Sequence, residues 1–167
     1  MQAHFHFAFS FPILPSFRES RKTARRASSR VVGFAGVLMD AAAAAVHAAN
    51  LPAHTVLRLD LSDVECAVKV LVRHGPWDVC QLSAPCTDFS AAGRRVEGAA
   101  AELTLHGLEI AERLGVPTLV FENVVEVRNS ATWAKARVRM QRGGRITRAG
   151  GDIVDAQHFG VPQHRER

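Results

Sequence analysis

Apolar residues come in short runs separated by stretches of helical spacing. Residues 31–38 make a run short enough for a strand. Asp40 precedes the alanine-rich stretch 41–49 where a cap belongs, and Asn50-Leu51-Pro52 closes that helix. Residues 55–60 are again strand-like. Ser62-Asp63-Val64-Glu65 has capping-box spacing, with Ser62 as the cap and Glu65 reaching back. The helix it opens turns Val64, Ala67, Val68 and Leu71 inward, and Gly75-Pro76 ends it. A strand is expected over 77–82. Ala101, Leu105, Leu108, Ala111 and Leu114 then recur in steps of three and four, with Glu102, Glu109, Glu112 and Arg113 on the other face. Gly115 ends that helix, and 117–121 is the next strand. A helix near 131–142 and a strand near 146–154 complete the pattern. Strands alternating with helices predict an α/β fold: a mostly parallel sheet with helices on both faces and ligands at the carboxyl ends of the strands.

Residues 1–30 stand apart. Phe5, Phe7, Phe9 and Phe11 alternate, Pro12 and Pro15 interrupt, and a Ser/Arg-rich run follows. The segment reads as a disordered or transit-like basic tail. It holds six Lys/Arg against one acid, Glu19, and so accounts for the chain's whole net charge of +5. The pI near 9.9 therefore says little about the folded part. A local block says more: Arg128, Lys135, Arg137, Arg139, Arg142, Arg145 and Arg148 run with no acid among them. Such a block could face phosphates or simply solvent. The three cysteines, Cys66, Cys80 and Cys86, have no metal-ligand spacing, and their odd number argues against a disulfide framework. No metal site and no membrane span is expected.

Three motifs carry candidate chemistry. Ser83-Ala84-Pro85-Cys86-Thr87-Asp88-Phe89-Ser90 offers a thiol just after a strand. Phe121-Glu122-Asn123-Val124 offers a carboxyl group after the next one, and the run from Phe159 through Gln163 and Arg165 to Arg167 offers guanidinium groups. Alone, each has a plain reading: a small buried cysteine, a surface glutamate, a solvated basic terminus. Cys66 and Cys80 are expected to be buried in that way. A thiol hydrolase pairing Cys86 with His106 or His158 is a further possibility, though no motif surrounds either histidine. The order of the three motifs, each spaced by about one helix and one strand, argues for a joint site on one rim of the sheet.

Together these motifs resemble those of the DNA (cytosine-5) methyltransferases, whose usual forms are Gly-Pro-Pro-Cys-Gln-x-Phe-Ser, Glu-Asn-Val and Asn-Ala-x-x-Tyr-Gly-Val-Pro-Gln-x-Arg-x-Arg. Ser83-Ala84 departs from Gly-Pro, Thr87 from Gln, Asp155 from Asn and Phe159 from Tyr. The resemblance spans about residues 38–167. It implies a Rossmann-like methyltransferase fold that uses S-adenosylmethionine. It also implies methylation of cytosine C5 in double-stranded DNA, with the target base flipped out of the duplex. Cys86 would add to C6 as a thiolate, Glu122 would protonate N3 and Arg165 would meet O2. Asp40, Asp60 and Pro85 would line the cofactor, and Ser90, Asn123, Gln163 and Arg167 the substrate. No Phe-x-Gly-x-Gly cofactor loop is found near the start, and the family's target-recognition region would have to follow Arg167. Residues 31–167 are thus expected to be a partial catalytic domain, incomplete at both ends. A DNA-binding remnant without chemistry and an RNA cytosine methyltransferase are the alternatives. A prokaryotic or phage-derived cytoplasmic enzyme is expected, or an organellar or nuclear one if the tail is a transit segment.

Overall fold

The strand-forming runs assemble into one five-stranded sheet of order β3-β2-β1-β4-β5 in the computed structural model. The strands are β1 (Phe7–Ser10), β2 (Ala35–Leu38), β3 (Thr55–Arg58), β4 (Val79–Ser83) and β5 (Thr118–Glu122). The helices are α1 (Ala41–Asn50), α2 (Val64–Leu71), α3 (Ala99–Arg113) and α4 (Ala131–Arg142), with 3-10 turns at Val125–Asn129 and Ala156–Phe159. The described residues are 7–10, 35–90, 96–142, 152–164 and 166, the backbone alone at 7–10 and 142.

β2 pairs in parallel with β3, and β4 with β5, while β1 is antiparallel to both β2 and β4. The four outer strands therefore share one direction, and their carboxyl ends share one rim. β1 corrects the expectation of a wholly disordered tail: Phe7–Ser10 sits in the centre of the sheet. Its alternating phenylalanines had the period of a strand, and only the prolines and arginines behind them suggested otherwise. The expected strand near 146–154 does not form at 152–154, and 143–151 lie outside the described residues.

The sheet is covered unequally. Val37, Cys80 and Leu82 join Ala67 and Leu71 of α2 and Leu108, Ile110 and Ala111 of α3 in one core. Gly107 lets α3 approach: a Cβ there would lie 2.5 Å from Leu82 Cδ1. On the opposite face, Gly36 meets the His47 ring of α1, where a Cβ would lie 2.8 Å from Nε2. Helices thus occupy both faces, as expected, but α1 buries only Ala44, and Gln81 and Val120 of β4 and β5 stay exposed on its side.

Capping follows chemistry rather than position. Asp40 caps α1, its Oδ1 accepting from the Ala43 N–H at 2.8 Å. The cap of α2 is Asp63, not Ser62. Ser62 is spent on Asp60, whose Oδ1 accepts its amide at 2.9 Å and its hydroxyl at 2.7 Å. Asp63 Oδ1 is left to accept the Cys66 N–H at 3.0 Å. Cys80 is fully buried as expected, whereas Cys66 is exposed. Only Ala67 and Leu71 of α2 are fully buried, and Cys66 lies one position outside their stripe.

Candidate active site

The thiol loop is built from the end of β4 outward. Ala84 and Pro85 are buried, and the chain then turns over Cys86-Thr87-Asp88-Phe89. The Cys86 carbonyl accepts the N–H of Phe89 at 3.0 Å and of Ser90 at 2.8 Å, which closes a tight turn around the sulfur-bearing residue. Phe89, 4% exposed, anchors the turn in a small cluster with Ala101, Val124 and Val127, and half-buried Cys86 packs against it. Asp88 fastens the loop to α3. Its Oδ2 accepts the N–H of Gly98 at 2.9 Å and of Ala101 at 2.8 Å, satisfying two amides at the helix start. Glu97 does the same for α4, accepting from Ala131 N, Thr132 N and Thr132 Oγ1 at 2.6–2.7 Å. The Thr132 hydroxyl is the largest reason the Glu97 carboxyl is held below the usual glutamate range. Sequence reading missed both acids as braces, since a capping acid distant in sequence leaves no local spacing.

The carboxyl group arrives on the neighbouring strand. The β4–β5 register sets Glu122 beside Ser83, and the Ser83 hydroxyl donates to Glu122 Oε2 at 2.6 Å. Glu122 is half-buried. Asn123 is buried and turned inward, where its Nδ2 donates to the Ala84 carbonyl at 3.3 Å and its Oδ1 accepts the Val124 N–H at 2.8 Å. It staples the two loops together. The structure therefore brings the Cys86 loop and Glu122 to adjacent strand ends. Ser90 is half-buried nearby with its amide committed to the turn. Cys80 is a thiol of another kind: burial pushes it far up, out of reach of ionisation.

The carboxyl ends of β2 and β3 put Asp40 and Asp60 on the same rim. Asp40 is committed to its helix. Asp60 is exposed and uses only Oδ1, and its carboxyl is held below the usual range, first by the Ser62 hydroxyl, then by the Ser62 amide, with a smaller contribution from His106. Among the described residues, His106 Nδ1 and Thr104 Oγ1 find no hydrogen-bond partner although both are buried. Among the described residues Oδ2 of Asp60 accepts no hydrogen bond, and it would suit an amino-group donor. Gly36 offers no cradle, because His47 fills the space its missing Cβ leaves.

The terminal motif folds on Asp155, which is 5% exposed. Asp155 accepts from Gln157 N and Gln157 Nε2, pairs with His164 Nδ1 and bridges to Glu166 through the backbone. The carboxylates and imidazole of Asp155, His164 and Glu166 lie within 4.8 Å of one another. Gln163 is exposed, and Arg165 and Arg167 lie outside the described residues. In the basic block, Arg139 is not free for phosphates: its Nε donates to Glu112 at 2.9 Å and Nη1 to Glu109 at 3.5 Å. α3 carries the acids the block itself lacks. Lys135 and Arg137 are exposed, whereas the Arg142 side chain, Arg145 and Arg148 lie outside the described residues. Among the described residues no helix is long and apolar enough to cross a membrane.

A family model described as C-5 cytosine-specific DNA methylase matches residues 24–167. Type II methyltransferase M.HgiDI of Herpetosiphon aurantiacus is 33% identical over 116 residues, covering 68% of this chain and 36% of that protein. Type II methyltransferase M.HindV of Haemophilus influenzae is 31% identical over the same length, covering 68% of this chain and 37% of that protein. Type II methyltransferase M.HgiGI of Herpetosiphon aurantiacus is 35% identical over 78 residues, 46% of this chain and 61% of that protein. The chain thus spans little more than a third of the first two relatives.

Proposed function

This chain belongs to the C-5 cytosine-specific DNA methylase family, and from that premise we propose that it takes part in methyl transfer from S-adenosylmethionine to C5 of a cytosine flipped out of duplex DNA. The supporting observation is the pairing of β4 with β5, which sets the Glu122 carboxyl against the strand that leads into the Cys86 turn. In this reading the Cys86 thiolate bonds to C6, and the electron pair of the C5–C6 double bond moves toward C5 and the N3–C4 unit. Glu122 gives its proton to N3, so no charge is stranded on the ring. The sulfonium cofactor supplies an electrophilic methyl group for C5. Water then takes the C5 proton. The electron pair of that C–H bond restores the C5–C6 double bond as the C6–S bond breaks and the thiolate leaves, and N3 returns its proton to Glu122. Asp60 would grip the nucleoside of the cofactor, and buried Pro85 would line it. Arg165 would face cytosine O2, while Ser90, Gln163 and Arg167 would reach the DNA. Asp155, holding His164 and the 3-10 turn, supports the segment that carries Gln163. The Rossmann-like form of the sheet is part of this proposal.

A second reading, DNA binding without chemistry, draws on the other half of the rim, where His47 fills the glycine cradle and Asp40 is spent on its helix. One experiment separates them. The purified chain, duplex DNA and S-adenosylmethionine are incubated together, and 5-methylcytosine is measured by mass spectrometry beside DNA affinity. The proposed reading expects product that disappears in Cys86→Ser while affinity is kept. Affinity with no product from the parent chain supports binding alone.

A further inference from the structure

Ser83 stands where the motif resembled here usually has glycine, and its side chain is not idle. It emerges at the last position of β4, level with Glu122 in the parallel register, and its hydroxyl donates to Oε2 at 2.6 Å in a half-buried setting. A glycine could offer no such bond. We propose that Ser83 is a positioning residue that helps fix the Glu122 carboxyl by donating to its Oε2. This inference rests on the reading of Glu122 as the acid at N3.

The chemistry follows from the directions of the bonds. A carboxyl group has two oxygens and a rotatable terminal torsion, so a free glutamate spreads its proton over many geometries. The donated hydrogen bond restricts that torsion. It also commits Oε2 to the serine. When the carboxyl O–H bond breaks and an N3–H bond forms, the carboxylate left behind is already met by a donor, and a hydrogen bond to a charged group is worth more than one to a neutral group. Asn123 braces the same spot from behind, since its amide holds the Ala84 carbonyl, next in sequence to Ser83. Ser83 thus sits between two constraints, the strand register and the Asn123 staple, and its hydroxyl does not have to search for its partner.

The test uses two variants of the full chain. Ser83→Ala deletes the donor, and Ser83→Thr keeps a hydroxyl on a residue suited to a strand. The first readout needs no activity: infrared difference spectroscopy on protein carrying 13C-labelled glutamate, with Glu122→Gln identifying the Glu122 carboxyl bands. The Glu122 band is expected to shift in Ser83→Ala and to stay with the parent in Ser83→Thr. The second readout is the rate of covalent capture by duplex DNA containing 5-fluorocytosine with S-adenosylmethionine present. Capture is expected to slow about tenfold in Ser83→Ala, the size of a lost hydrogen bond to a charged group, and to recover in Ser83→Thr. Identical Glu122 bands in the parent and Ser83→Ala overturn the proposal, as does equal capture by the two. If the parent captures no DNA, the chemical reading of the site has failed, and the infrared arm alone still decides whether Ser83 holds Glu122.

Discussion

The two halves of the rim are built to different standards. At the ends of β4 and β5, the candidate chemistry is surrounded by cross-braced polar groups. Ser83 holds Glu122, Asn123 ties the two loops together, and Asp88 and Glu97 brace the starts of α3 and α4. Beneath them α3 buries Ala101, Thr104, Gly107, Leu108, Ile110 and Ala111. At the ends of β2 and β3, α1 buries Ala44 alone, Asp40 serves its own helix and Asp60 is exposed. A covalent step needs heavy atoms fixed within a fraction of an ångström, and that precision comes from packed, cross-braced loops. The thiol side has this bracing, and the β2–β3 side has one available carboxylate oxygen and less packing behind it.

The largest expected contrast is in stability. Leu82→Ala removes a side chain with no exposure that fills the space against Gly107, and should cost about 2–5 kcal/mol in denaturant unfolding. Val46→Ala in α1, where Val46 is 60% exposed, should change stability by less than about 0.5 kcal/mol. Similar losses at both positions would erase the difference between the halves.

Next in size is the split between the two rim carboxylates. Asp60→Ala should weaken S-adenosylhomocysteine binding about tenfold by calorimetry, the value of a hydrogen bond to a charged group. Asp40→Ala should leave that affinity within about twofold and instead cost α1 about 1 kcal/mol, because its carboxylate is a helix cap. The reverse pattern would make Asp40 the ligand. Asp88→Ala should cost about 1 kcal/mol of global stability, and amide exchange should rise first at Gly98 and Ala101, the two groups it covers.

Much of this contrast could be read from the chain, and what could not has physical causes. The run of apolar positions from Ala101 to Ala111 marked α3 because its stripe repeats at helical spacing over several turns. Cys86 and Glu122 were found because each follows a strand within a few residues. β1 was missed because alternation reports a strand but not its partner, and an antiparallel insertion between two parallel pairs has no sequence spacing to betray it. Ser62 was misread as a cap because capping-box spacing ignores Asp60, two residues upstream, which takes both Ser62 donors. Asp88 and Glu97 were silent for the same reason as Ser83: their partners lie ten or more residues away along the chain. Arg139 was assigned with the basic block although Glu109 and Glu112 already claim it across α3 and α4.

The smallest expected effect is electrostatic. The Glu97 carboxyl is held low by its bonds to Thr132 and Ala131, so it binds a proton more readily unfolded than folded. Its contribution is therefore present above the ordinary glutamate range and lost as pH falls through the lower folded value. Because Glu97 is exposed, the change should be local: faster exchange at the Ala131 and Thr132 amides on acidification, absent in Glu97→Gln. A pH-independent exchange rate, once corrected for intrinsic chemistry, would remove Glu97 as the brace of α4.

The central claim is that the Cys86 sulfur and the Glu122 carboxyl meet on one pyrimidine. The most direct measurement is peptide mass spectrometry of the intact chain after incubation with 5-fluorocytosine duplex and S-adenosylmethionine. A nucleotide mass on the peptide containing Cys86, lost in Cys86→Ser and reduced in Glu122→Gln, is the predicted result. Adduct on exposed Cys66 with Cys86 unmodified would contradict it.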